Sequence, residues 1–260
     1  MPTFLFDRII FGPVRSRRLG VSLGINLLPS TRKICNFDCI YCECGWTQGT
    51  DISREKLPDR SEVYAALEMK LSEMKKKGQA PDVITYAGNG EPTLHPEFPG
   101  IIDDSLELRD RYFPDAKIAV LSNSTAIKKP GIREALRKVD QNILKLDSAF
   151  DLTVSLHNQP RVNMNIDELI HDLSEFKGEV IIQTLFLRGT YKGKKVDNTT
   201  PEELNAWLEA LKIIKPSQVM IYTISRDTPV GDQLSRVPLS ELKHIASLVN
   251  ALGFETQVSG

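Results

Sequence analysis

Short apolar runs alternate along the chain with longer segments whose apolar residues recur every three or four positions. The runs fall near residues 22–28, 82–87, 116–121, 142–147, 179–187 and 217–222. Each is too short for an ordinary helix and reads as a strand. The segments between them have recognisable faces. Residues 61–77 place Val63, Leu67, Leu71 and Met74 on one side. Asn165 can cap a helix, with Glu168 three residues on and Ile166, Leu169, Ile170 and Leu173 turned inward. Thr200-Pro201-Glu202-Glu203 reads as a capping box with proline at the first helical position, opening a helix that buries Leu204, Leu208, Leu211 and Ile214. Ser240 opens another, with Leu242, Ile245, Val249 and Leu252, stopped by Gly253. A short strand over 254–258 is predicted to follow.

Strand, helix and strand, repeated about six times, imply parallel strands joined by right-handed crossovers. A flat doubly wound sheet and a barrel both fit this periodicity. No repeat or low-complexity linker interrupts it. Residues 1–260 therefore read as one α/β domain, with an N-terminal extension over 1–20 ahead of a core over 21–260. The chemically unusual residues come just after the predicted strands. A cysteine loop over 31–48 follows the first, Gly88 to Glu91 the second, and Ser122 to Ser124 the third. Asp147 and Ser148 close the fourth, Arg188 and Gly189 follow the fifth, and Ser225 to Asp227 the sixth. Parallel strands share one carboxyl edge, so these groups are predicted to converge there.

A chain of 260 residues can bury roughly 70–75% of its unfolded surface and needs no disulfide staples. Its formal net charge of −1 gives no global field to attract nucleic acid. Four cysteines, three of them clustered, make a poor disulfide framework and read better as a metal site in a reducing compartment. The N-terminus lacks the pattern of a signal peptide, and no apolar run is long enough to span a bilayer. A cytoplasmic protein with no membrane partner is expected.

Cys35, Cys39 and Cys42 lie in the run Ile34-Cys35-Asn36-Phe37-Asp38-Cys39-Ile40-Tyr41-Cys42. Three thiolates on one short loop can hold three corners of a cubic [4Fe–4S] cluster and leave the fourth iron open. An electron-transfer cluster normally has four cysteine ligands. Structural zinc also wants four ligands. Cys44 is the only further cysteine, two residues past Cys42, which is a cramped bite. A redox dithiol would use Cys39 and Cys42 and leave Cys35 unexplained. His95, His157, His171 and His244 show no ligand spacing.

The cysteine loop, together with Tyr86-Ala87-Gly88-Asn89-Gly90-Glu91-Pro92-Thr93-Leu94, resembles the radical S-adenosylmethionine (SAM) superfamily. The opening run Phe11-Gly12-Pro13-Val14-Arg15-Ser16-Arg17-Arg18-Leu19-Gly20 is similar to a subgroup that includes wyosine-type tRNA base-modifying enzymes. The resemblance implies a partial, open parallel β/α barrel. It implies a [4Fe–4S] cluster on Cys35, Cys39 and Cys42 and reductive cleavage of SAM to a 5′-deoxyadenosyl radical. It also implies an electron donor such as a flavodoxin or ferredoxin and hydrogen abstraction from a substrate that the sequence does not name: the subgroup similarity points to a tRNA base, with a partner protein as the main rival and a small metabolite left open. An activating enzyme acting on a partner protein and a non-enzymatic iron–sulfur redox protein are the alternatives.

By the same resemblance, Gly88, Asn89, Gly90 and Glu91 grip the SAM amino group, with Asn89 standing where many relatives have glycine. Tyr41 packs near the adenine; an aromatic there would also shield the cluster. Ser122 and Asn123 face the ribose, although both types also favour caps and turns. Lys145 and Asp147 alternate along one strand and so share a face. Turned inward they would meet SAM; turned outward they would be a solvated pair. Arg15, Arg17 and Arg18 form one basic cluster. Lys192, Lys194 and Lys195 form another in a loop from Gly189 to Asn198. Lys75, Lys76 and Lys77 end a helix, where cations suit the dipole.

Overall fold

A computed structural model describes residues 4–16, 18–47 and 56–260. The chain enters through β1 (Ile10–Ser16), which pairs antiparallel with β2 (Gly20–Ile25). Alternation then sets in: α1 (Arg60–Lys76), β3 (Val83–Tyr86), α2 (Phe98–Tyr112), β4 (Lys117–Ser122), α3 (Pro130–Lys138) and β5 (Gln141–Lys145). Two short helices, α4 (Asp151–His157) and α5 (Ile166–Ser174), lead to the long β6 (Ile181–Tyr191). The remainder is β7 (Lys194–Asp197), α6 (Pro201–Ile214), β8 (Gln218–Thr223), β9 (Leu234–Arg236), α7 (Leu239–Ala251) and β10 (Glu255–Ser259).

The sheet runs β1-β2-β3-β4-β5-β6-β8-β10, and every pairing after β1–β2 on this path is parallel. The six predicted strands are β2 to β6 and β8; the predicted C-terminal strand is β10. Among the described residues β1 pairs only with β2 and β10 only with β8, so the barrel stays open. The N-terminal extension is thus partly an edge strand. Phe11 lays its ring where a Cβ on Gly24 would sit, so β2 needs glycine at that position.

Successive strand residues face opposite ways, and here both faces are apolar. Outward, Leu23, Ile84, Ile118, Leu144 and Ile182 pack under the helices against Val63, Leu67 and Leu71 of α1 and Trp207 of α6. Inward, Val83, Ala119, Ile143, Ile181 and Met220 fill the barrel floor. This is why the strands read as unbroken apolar runs. Fully burying one such side chain stabilises the fold by about 1.5–3 kcal/mol. Trp207 sits edge-on to Phe186 at 5.3 Å, and its Nε1 donates to Thr184 Oγ1 at 3.1 Å.

Local signals were met unevenly. Asn165 caps α5 as predicted, its side chain accepting from the Glu168 amide. The capping box at Thr200 is half made. Thr200 accepts from the Glu203 amide, but the Glu203 carboxylate turns away to accept from Ser148 Oγ at 2.7 Å and Thr153 Oγ1 at 2.5 Å. A buried carboxylate finds stronger donors there, and α6 is tied to the loop after β5. A complete box forms instead at Asp59 and Glu62 ahead of α1. Helix α7 starts one residue before Ser240, with no side-chain cap. The predicted loop from Gly189 to Asn198 is largely a β-hairpin: β6 runs on to Tyr191 and pairs with β7. Its two turn residues, Lys192 and Gly193, have φ of +49° and +74°, the left-handed pair that tight hairpins favour.

Candidate active site

The loop after β2 carries the cysteines across the carboxyl edge of the sheet. On one side Ile34 bridges to Gly90: the Ile34 amide donates to the Asn89 carbonyl at 2.9 Å, and the Glu91 amide donates to the Ile34 carbonyl at 3.0 Å. Gly90 sits at φ +140°, and a Cβ there would strike the Ile34 carbonyl. On the other side Asp38 donates to the Asn158 carbonyl and Ile40 to the His157 carbonyl, each at 2.9 Å. The loop is therefore pinned between the end of β3 and the end of α4. Its apolar residues Phe37, Ile40 and Tyr41 pack on Leu185, Leu187 and Ile224.

All four cysteines are free of disulfides. Cys35 Sγ accepts from the Phe37 amide at 3.4 Å and from Asn123 Nδ2 at 3.6 Å; Cys39 Sγ accepts from Asn158 Nδ2 at 3.5 Å. Burial pushes the Cys35 and Cys39 thiols up. The adjacent Cys44 thiol and the Lys33 ammonium bring Cys42 below its ordinary value, against burial. Lys33 sits among them with a side chain only 2% exposed. Its Nζ donates to the Gly45 carbonyl at 3.0 Å and lies 3.6 Å from Asp38. Burial lowers the Lys33 ammonium, but Cys42, Cys35, Cys39 and Asp38 together outweigh that and raise it. Buried thiolates need donors and a nearby cation, and this loop supplies both. Among the described residues no three or more His, Cys, Asp or Glu side chains gather as a shell for one metal ion. A cube makes a different demand, because each thiolate bonds its own iron. The donor set fits a cube held at three corners.

The Gly88–Glu91 strip behaves differently from the sequence expectation. Glu91, expected to face an ammonium, is 2% exposed. Its Oε1 accepts from Thr93 N at 3.1 Å, Thr93 Oγ1 at 2.6 Å and Ser122 Oγ at 2.9 Å; its Oε2 accepts from Asn123 N at 2.6 Å. A carboxylate has about four lone-pair sites, so these donors occupy it. Burial raises its pKa and the donors oppose that rise. The side chains of Ser122 and Asn123, expected at a ribose, are engaged within the protein. Ser122 holds Glu91, and Asn123 Nδ2 donates to Asn36 Oδ1 at 2.6 Å. Asn89 turns its side chain away from the site. It exchanges hydrogen bonds with the Phe6 backbone in both directions, each at 2.8 Å, and reaches the Pro29 carbonyl. Cys44 donates to the Gly88 carbonyl at 3.4 Å.

Lys145 and Asp147 both face inward, so the solvated alternative is excluded. Asp147 accepts from the Tyr41 hydroxyl, from Asn158 Nδ2 at 2.7 Å and from the Leu185 amide at 2.9 Å. Lys145 Nζ lies 3.4 Å from Asp147, donates to Tyr222 Oη at 3.0 Å and stands 5.3 Å from the Tyr41 ring centre. Burial lowers Lys145, yet Asp147 and Tyr222 carry it well above the usual lysine value. Lys33, Asn158 and Tyr222 had not been singled out from the sequence. Lys33 had a legible signal: a basic residue two positions before the first cysteine, next to Arg32.

Of the predicted groups at the edge, the cysteine loop, Gly88–Glu91, Ser122–Asn123 and Lys145–Asp147 meet. Arg188 does not. It points to Asp197 at the end of β7, to Thr199 just beyond, and to Glu241 on α7. Arg15 is exposed, Arg17 lies outside the described residues, and Arg18 reaches the barrel interior. Lys195 pairs with Asp197 at 3.2 Å. Arg226, just past β8, pairs with Glu43 at 2.7 Å. A cavity of about 490 Å³ opens inside the barrel between Ser22, Thr85, Leu121, Arg18 and the rings of Phe4 and Phe6.

A fold that stops short of closing, with a cysteine loop and a glycine–glutamate strip side by side at its carboxyl edge, defines a class. The model of the radical SAM superfamily matches residues 30–190, and the chain belongs to that superfamily of enzymes. Among curated proteins it is 30% identical over 238 residues to a UPF0026 protein of Methanocaldococcus jannaschii, covering 90% of this chain and 68% of that one. It is 31% identical over 223 residues to a Brachyspira hyodysenteriae protein named GTPase Obg, of which the chain spans only 30%. In structure it is similar to a radical SAM methyltransferase from Sphaerobacter thermophilus, with TM-score 0.67, 16% identity, and coverage of 92% of this chain and 65% of that one. Archaeal TYW1 gives TM-score 0.51 at 13% identity, covering 88% of this chain and 71% of that one. At such identities the likeness is one of fold, and it does not single out the wyosine-type subgroup. No helix among the described residues is long and apolar enough to cross a membrane.

Proposed function

We propose that this chain cleaves SAM reductively at a [4Fe–4S] cluster held by Cys35, Cys39 and Cys42 and directs the resulting 5′-deoxyadenosyl radical at a substrate in the barrel. The observation that carries this reading is the bridge between Ile34 and Gly90, which joins the cysteine loop to the Gly88–Glu91 strip beside Lys145 and Asp147. When bound, the cluster supplies one electron and an open iron for the amino and carboxylate groups of SAM. The protein's part is to orient and to exclude water. Backbone carbonyls of the Gly88–Glu91 strip accept from the SAM ammonium, while Glu91 holds Ser122 and Asn123 in place. Lys145 faces the SAM carboxylate. Asp147, itself held by Tyr41, Asn158 and Leu185, keeps Lys145 in position. Phe37 and Ile40 cover the cluster. The electron comes from a small carrier such as a flavodoxin or ferredoxin.

Anaerobically reconstituted protein with a strong reductant is expected to produce 5′-deoxyadenosine from SAM. None formed at full iron content would end this reading. The N-terminal run favours a tRNA base as hydrogen donor. Contact with the phosphate backbone would make tRNA binding steeply salt-dependent, and no binding at low salt removes that substrate.

A further inference from the structure

Arg18 enters the open side of the barrel and stacks on Tyr222, its guanidinium carbon 4.5 Å from the ring centre. Among the described residues its one side-chain hydrogen bond is a long one, 3.4 Å to Gln183 Oε1. Among the described residues no carboxylate pairs with it. Lys145 lies 5.5 Å from the centre of the same ring. One phenol thus carries two cations. Asp147 already pairs with Lys145 at 3.4 Å, so of the two cations Arg18 is the one an incoming anion would meet. Tyr222 Oη accepts from Lys145 at 3.0 Å, so its own hydrogen is left to donate.

Space is present where the anion would go. A chamber of about 80 Å³ is lined by Arg18, Tyr41, Leu185 and Tyr222, several times what one water needs. It adjoins the cavity of about 490 Å³, with Arg18, Glu43, Ser225 and Arg226 lining both. That larger volume is within the range of roughly 300–1,000 Å³ usual for ligand sites. The two other charged residues at the junction, Glu43 and Arg226, neutralise each other. Among the described residues at this junction, Arg18 is the charge without an ion pair.

We propose that Arg18 and Tyr222 form a subsite for an oxyanion of the substrate, a carboxylate or a phosphate, with the body of the molecule in the larger chamber against Phe4 and Phe6. This rests on the proposed function only in taking the barrel interior as the substrate site. A planar guanidinium and a hydroxyl donor suit either oxyanion.

The test is the rate at which phenylglyoxal modifies Arg18, read by peptide mass spectrometry on reconstituted protein with SAM present. Arg8, whose side chain is 78% exposed, is the internal reference. Inorganic phosphate and acetate are the probes, against chloride at equal ionic strength. Phosphate or acetate is expected to slow modification of Arg18 several-fold and leave Arg8 unchanged. Protection by phosphate alone points to a phosphate ester; protection by acetate points to a carboxylic acid. In Tyr222→Phe, which keeps the ring, the protection is expected to be largely lost. No protection, equal protection at Arg8, or undiminished protection in Tyr222→Phe overturns the proposal. Protection without 5′-deoxyadenosine production removes the radical reading alone; 5′-deoxyadenosine without protection removes the subsite alone.

Discussion

Two buried carboxylates stand at the mouth of the barrel, and they are built differently. Glu91 is surrounded by neutral donors from Thr93, Ser122 and Asn123, and no salt bridge to it occurs among the described residues. Asp147 shares its oxygens among Tyr41, Asn158, Leu185 and a cation, Lys145, that also donates to Tyr222. The first is a strut joining β3 to β4. The second belongs to a network with a charge to offer a ligand. A motif residue can therefore be indispensable through what it holds, while the ligand meets its neighbours.

The sharpest break would come at the cysteines on which both corners border. Replacing Cys35, Cys39 or Cys42 by alanine is expected to abolish iron retention and 5′-deoxyadenosine formation, and Cys44→Ala to preserve both; iron analysis beside the cleavage assay checks this. Next in size is an acid effect near Asp147. Burial lowers the His157 imidazole to about 4 from 6.5. Its folded-state value lies below its unfolded one, so the stability it contributes is complete above about pH 6.5 and lost as pH falls through 4. The loss amounts to about 3 kcal/mol. Both ring nitrogens lack a hydrogen-bond partner among the described residues, so His157→Leu should flatten that slope in denaturant midpoints measured from pH 7 to 4.

Glu91→Gln separates the corners. An amide cannot accept four hydrogen bonds, and one of its N–H groups must face donors. Unfolding free energy is expected to fall by about 1–3 kcal/mol. Lys145→Met also costs stability, because it removes the cation beside buried Asp147, but it should in addition weaken SAM binding about tenfold, or 1.4 kcal/mol. An equal loss of SAM affinity in both variants would erase the distinction. The smallest effect is expected at Lys33. A buried cation favours the more negative, reduced cluster, so Lys33→Met should lower its midpoint potential in a redox titration followed by electron spin resonance.

The strands were legible because β2 to β6 and β8 are apolar on both faces, which leaves few other readings. The barrel was not, since curvature comes from twist and from inward residues such as Gly24, which periodicity does not record. Helices α2 and α3 passed unnoticed in the sequence. Each carries a proline in its first turn, Pro99 and Pro130, and a proline breaks the pattern even where it suits the first turn. The cysteine loop was legible because three thiols at that spacing have few other uses. The partners of Glu91 and Asn89 were not. Both side chains reach residues far away in sequence, Asn123 in one case and Phe6 in the other, and only the fold brings them together. Lys145 and Asp147 showed that they share a face but not which one.

The central claim is an iron–sulfur cube with one corner left to SAM. It is tested most directly by the electron spin resonance spectrum of the reduced, reconstituted protein before and after SAM is added. The spectrum is expected to change on addition, in wild type and in Cys44→Ala alike. A spectrum that SAM leaves untouched in both, at full cluster occupancy, would contradict it.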